Sequence, residues 1–175
     1  MSNYDYQKQL QKVWEHAVEV YRKGVSGPDE MFSEAQSAFL ASIGQNEQEM
    51  FDYAEDYANG GDPAFGDVAA VADIRRAYFL NVQGGKPSAK VINPDALPAK
   101  SAEVDGIAWL PRIIEKAKAK LRGELHPSVM YGCAGDRAFL RRCDIHSAEL
   151  LRKVWEEDGN DAAVVSWVKE RMKRA

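Results

Sequence analysis

On both sides of a proline- and glycine-rich stretch at 84–106 the apolar side chains recur at three- and four-residue spacing, and glycine or proline interrupts that rhythm. This pattern excludes most β architectures, because a half-buried strand needs apolar residues at every second position. The first segment runs from about Tyr4 to Lys23, with Leu10, Val13, Trp14, Ala17, Val20 and Tyr21 on one face, and Gly24 stops it. Pro28 sits where a first helical position tolerates proline, so a second helix is predicted through Phe32, Ala35, Phe39 and Leu40, ending at Gly44. Asn46 followed by Glu49 reads as a capping box for a third helix carrying Met50, Phe51, Ala54 and Tyr57. Gly60-Gly61-Asp62-Pro63 closes it, and a fourth helix over about 65–82 turns Val68, Val71, Ala72, Tyr78 and Phe79 inward.

Residues 84–106 hold three prolines and three glycines without a helical period, which predicts a connector with a brief extended piece at Ala89–Ile92. Beyond it, Pro111 suits a first turn, Ile113, Ile114, Ala117 and Leu121 line one face, and Gly123 ends the helix. Three shorter helices follow, over Asp136–Arg142, Ser147–Glu157 and Asp161–Met172, the last capped by Asn160. The expected architecture is all-α: a helical half 1–83, the connector 84–106, and a smaller helical half 107–175 docked on the first. No internal repeat is legible.

Charge sharpens this division. Residues 1–82 carry 6 basic and 14 acidic side chains, whereas residues 83–175 carry 17 and 13, so the halves are expected to attract. The overall charge of −4 argues against nonspecific nucleic-acid binding, which depends on neutralising phosphates. No run of 18 apolar residues suggests a membrane span, the N-terminal residues lack the pattern of a secretory signal, and two cysteines cannot build a disulfide framework. A soluble cytoplasmic protein is expected, with no cofactor.

Four features could carry chemistry. The acidic run from Glu47 to Asp62 spreads around a helix and lacks the ligand alternation of a calcium loop, so it reads as a solvated face. Arg112, Lys116 and Lys120 fall on one flank of the helix after Pro111 and could form an anion-binding edge. His126, Cys133, Cys143 and His146 have zinc-ligand chemistry but not the two close pairs of a structural zinc site, so no metal is expected; Cys143 reads as a small buried hydrophobe and His146 as the residue that opens a helix. The segment Met130-Tyr-Gly-Cys-Ala-Gly-Asp-Arg137 is the richest, because small residues before a helix leave backbone N–H groups free for an anion or a thiolate.

The stretch Gly106-Ile-Ala-Trp-Leu-Pro-Arg-Ile-Ile-Glu-Lys-Ala-Lys-Ala-Lys-Leu-Arg-Gly123, then Tyr131-x-Cys133-x-x-Asp136 and Phe139-Leu140, resembles a bacterial family of unknown function, DUF5069, over most of 106–168. Phe39-Leu-Ala-Ser-Ile-Gly44, Arg75-Arg-x-Tyr-Phe-Leu80 and Gln83-Gly-Gly-Lys-Pro-Ser88 resemble a longer branch of it. The resemblance implies a bacterial cytoplasmic protein but supplies no activity. Its pattern touches Trp109, Pro111, Arg112, Lys116, Cys133, Asp136, Phe139 and Leu140, and not Cys143 or His146.

Three functions are therefore expected in turn. The first is a noncatalytic module that binds a small anion or an acidic protein segment in a groove between the halves, through Trp109, Arg112, Lys116, Tyr131 and Arg137. The second is an enzyme with Cys133 as nucleophile, His126 as base and Asp136 beside them, acting on an anionic substrate held by Arg112 and Arg137. The third is a structural partner in a homo- or hetero-oligomer.

Overall fold

The computed structural model describes residues 4–174, and the chain divides into two compact units, Met1–Lys86 and Pro87–Ala175. Both are helical, as the periodicity requires.

In the first unit α1 (Tyr6–Arg22) buries Leu10, Val13, Trp14 and Ala17. Its main neighbour is α3 (Glu47–Gly60), which buries Met50, Phe51, Tyr53 and Ala54. At about 1.5–3 kcal/mol for each large apolar side chain taken out of water, this face is what holds the two helices together. Between them, α2 (Glu34–Ser42) begins six residues later than the proline suggests. Pro28 opens only a 3-10 turn, Pro28–Glu30, because Ser33 supplies the stronger start. Its Oγ accepts the Gln36 N–H at 3.4 Å while its own N–H donates to Gln36 Oε1 at 2.9 Å, a closed capping box. The unit ends with α4 (Phe65–Asn81), which buries Val68, Val71, Ala72 and Phe79.

The second unit starts with irregular chain that is held by specific bonds. The Ile92 N–H donates to Glu124 O at 2.8 Å and Ser88 Oγ to Glu124 Oε1 at 2.8 Å. The extended piece predicted at Ala89–Ile92 is not a strand; the strands are β1 (Glu103–Val104) and β2 (Ile107–Ala108), antiparallel and joined by Asp105-Gly106. Both turn residues have positive φ, 52° and 78°, the requirement of a tight two-residue hairpin that an Asp-Gly pair meets. Then come α5 (Leu110–Arg122), α6 (Ala134–Arg142), α7 (Ser147–Glu157) and α8 (Asp161–Met172). The start of α6 lies two residues earlier than predicted, with Cys133 at the cap position. In α5 Lys116 and Lys120 are buried, at 4% and 1% exposure, rather than spread on a wet flank. Among the described residues no helix is long and apolar enough to cross a membrane.

Candidate functional site

The hairpin of the second unit ends in Trp109, and the backbone there is strained. Trp109 caps α5 with φ 73°, a left-handed conformation that a bulky side chain adopts at a cost of roughly 1–3 kcal/mol. Its N–H is tied to Ala102 O at 3.0 Å, and its indole lies on the first turn of α6. That approach needs Gly135, since a Cβ there would sit 2.7 Å from the ring. Lys100 Nζ stands 5.5 Å from the centre of the ring.

The strain delivers the indole N–H to Asp136 Oδ1 at 3.0 Å. Asp136 is fully buried, and its other oxygen accepts the Gly132 N–H at 3.0 Å and the ammonium of Lys116. Lys116 Nζ also lies 3.5 Å from Cys133 Sγ. A buried carboxylate and ammonium each lose several kcal/mol of hydration, so either alone would be untenable; together, and with every Asp136 oxygen hydrogen-bonded, the pair persists. Asp136, the third residue of its helix, thus reaches back to the backbone before the helix instead of capping it.

Cys133 is half-buried and in no disulfide. It is the cap residue of α6, yet its side chain takes no hydrogen bond from the first turn, unlike Ser33 at the start of α2. An uncapped N-terminal turn is a ready anion site. Cys143 differs: it is 1% exposed, and burial pushes its thiol up against the weaker opposing effect of Arg142.

The other predicted residues are placed as follows. Arg137 is 6% exposed and its Nη1 donates to Gly132 O at 2.6 Å, bracing the loop that carries Cys133. Tyr131 is buried and its hydroxyl donates to Ser147 O at 2.7 Å. Arg112 Nη1 donates to Pro98 O at 2.8 Å. His126 Nδ1 lies 2.8 Å from Ser128 Oγ within its own turn. The fold therefore joins Trp109, Lys116, Cys133, Asp136 and Arg137 through direct bonds and Gly132, while the contacts of Arg112 and His126 are elsewhere. His146 accepts the Ala148 N–H through Nδ1 and makes a capping box with Glu149. Among the described residues no three His, Cys, Asp or Glu side chains gather as a metal site.

The sequence shows Gly135 as a small residue but not its contact with Trp109, and the hairpin was not predicted. The Asp105-Gly106 pair was the available signal for the latter.

The family model described as a domain of unknown function, DUF5069, matches residues 96–175, all inside the second unit. That is the family the sequence resembles, and the match covers every residue of the cluster. No curated protein and no solved structure matches the chain.

Proposed function

We propose that the second unit holds a small anionic ligand at the first turn of α6 and presents it to the thiol of Cys133. The observation that carries this reading is the buried Lys116 ammonium 3.5 Å from Cys133 Sγ, at a helix start whose cap side chain takes no hydrogen bond from the first turn. Positive potential from the helix terminus and from Arg137 favours an anion there. Asp136 fixes the ammonium and Trp109 fixes Asp136, so the thiol and its neighbour are held without help from a ligand. This keeps the anionic ligand and the 130–137 turn expected from the sequence, with Lys116 and Arg137 beside it, and leaves Arg112 out. Whether bond-making at Cys133 follows binding depends on the ligand's electrophilicity, and His126 is not required for either.

Alkylation of the native full chain tests the reading. Iodoacetate and iodoacetamide both transfer a carbon to sulfur as iodide leaves, and only iodoacetate is an anion. Cys133 is expected to be labelled in the folded protein, with a ratio of iodoacetate to iodoacetamide rates above that of the same residue in urea. Lys116→Gln should lower that ratio. Labelling of Cys133 only in denaturant, or the same ratio folded and unfolded, would overturn it.

A further inference from the structure

The two units share more than helix content. At a separation of 100 residues, Leu10 and Leu110, Ala17 and Ala117, Phe39 and Phe139, and Leu40 and Leu140 are identical and buried in pairs. The helices α2 and α6 have the same bounds at that separation, 34–42 and 134–142. The turns after them carry the same three bonds. Ile43, Gly44 and Gln45 donate to the carbonyls of Leu40, Ala41 and Leu40 at 3.1, 3.0 and 2.9 Å. Cys143, Asp144 and Ile145 donate to those of Leu140, Arg141 and Leu140 at 3.0, 3.1 and 3.0 Å. Gly44 and Asp144 both have positive φ, and Asn46 and His146 both cap the next helix through a side chain.

The correspondence continues where residue identity fades. Since α3 is three residues longer than α7 and the loop after it one residue longer, the fourth helices start at 65 and 161, a separation of 96. The slip of four residues is about one helical turn. At the new separation Arg75 corresponds to Arg171. The Arg75 guanidinium carbon lies 3.2 Å from where a Gly44 Cβ would be and feels the charge of Glu49. Arg171 donates to Asp144 O and lies 3.5 Å from Glu149 Oε1. An arginine of the fourth helix thus lies at the same turn in each unit: Arg171 bonds it through Asp144 O, and Arg75 packs beside Gly44 while its Nη1 donates to Gln83 Oε1 at 2.7 Å.

We infer that residues 10–81 are another copy of the four-helix unit 110–172, in which a neutral helix cap stands where the 110–172 copy has its charged cluster. The positions of Lys116, Cys133, Asp136 and Arg137 are held in the first unit by His16, Ser33, Gln36 and Ser37. His16 Nε2 reaches Met31 O at 2.9 Å, Ser33 and Gln36 cap each other, and Ser37 Oγ donates to Ser33 O at 3.1 Å. Among the described residues no buried ion pair stands at these positions in the first unit, so the ion pair of the second is not a requirement of the fold. The ligand capacity is then one per chain, and the site is transplantable. The transplant rests on the proposed ligand reading; the copy itself does not.

Two experiments on the full chain separate these. For the copy, amide exchange is followed at Gln45 and Ile145. Arg171→Gln should speed exchange of Ile145 about fivefold or more and leave Gln45 unchanged, and Arg75→Lys should do the reverse. If either substitution leaves its own turn unaffected, the pairing of the two arginines, and with it the copy, is refuted. For the emptied site, Cys133→Ser is combined with Ser33→Cys, His16→Lys and Gln36→Asp. The new thiol should gain an iodoacetate preference that Ser33→Cys alone, in the same Cys133→Ser background, does not show. Equal ratios in the two variants would refute the transplant, provided Cys133 shows the preference in the unaltered chain. If it does not, the ligand reading fails and the exchange experiment alone decides the copy.

Discussion

The corner between the first and second helices of each unit poses one backbone problem with two chemical answers. In the first unit α2 opens on Ser33 and Gln36, both neutral and near the surface, with His16 tied to a carbonyl. In the second, α6 opens on Cys133, with Asp136 and Lys116 buried behind it and a strained tryptophan holding them. Burying an ion pair is often no better for stability than apolar packing, so a corner that has a neutral solution available and does not use it is a candidate for function. The difference teaches where to look, which composition does not.

The largest expected contrast comes from deleting the carboxylate. Asp136→Ala strands the Lys116 ammonium and removes the acceptor of two N–H groups, and should destabilise the second unit by about 3–5 kcal/mol. Gln36→Ala, at the matching position, should cost the first unit only about 0.5–1 kcal/mol. Urea unfolding fitted with a separate transition for each unit reads both, and equal losses would break the comparison.

Next is the fit at the helix start. Gly135→Ala drives a methyl to 2.7 Å from the Trp109 ring and should cost about 1–3 kcal/mol. Its counterpart Ala35 is exposed, so Ala35→Gly should cost about 0.5–1 kcal/mol through helix propensity alone.

A third contrast is electrostatic and belongs to the first unit. Burial first, with Glu49, Glu55 and Asp56 adding to it, raises the Asp52 carboxyl to about 6 against a bond from Gln48. A carboxyl raised on folding favours the folded state fully below its unfolded value near 3.8, and that advantage is lost as pH rises through about 6. Asp52→Asn should therefore stabilise this unit by about 1–2 kcal/mol at pH 7, after allowance for solvent screening, and by nothing measurable at pH 4. Thermal melts at the two pH values check it.

The smallest effect is at the turns. Asp144→Gly removes a side chain from a residue with φ 50° and should raise stability by up to about 1 kcal/mol. Gly44→Asp should lower it, because a Cβ at Gly44 meets Phe79 at 2.7 Å.

Most helices were legible because glycine, proline and cap residues punctuate a strong period; α7 and α8 fall where Ser147, Asn160 and Asp161 predict. Pro28 misled because proline only permits a first turn, whereas the Ser33 and Gln36 pair makes one. The hairpin was missed because two-residue strands show no alternation, although Asp105-Gly106 announced the turn. Lys116 and Lys120 follow Ile113 at three and seven residues, on the apolar stripe itself, a sign that their burial could have been read. What no spacing gives is the partner: Asp136 is 20 residues from Lys116 and meets it where Trp109 packs on Gly135. The repeat escaped because the copies agree in burial and hydrogen bonding more than in residues, as Gly44 and Asp144 or Asn46 and His146 show.

The central claim is that the corner of the second unit is chemically distinct from a corner of the same design, and Ser33→Cys in the otherwise unaltered chain sets the two side by side. Both thiols then occupy the cap of the corresponding helix in one molecule, and mass spectrometry reads iodoacetate and iodoacetamide labelling at each. Taking the ratio of the two reagents at each thiol removes the difference in exposure. The account predicts a several-fold higher ratio at Cys133 than at position 33, narrowing as salt screens the charges. Equal ratios at the two positions would contradict it.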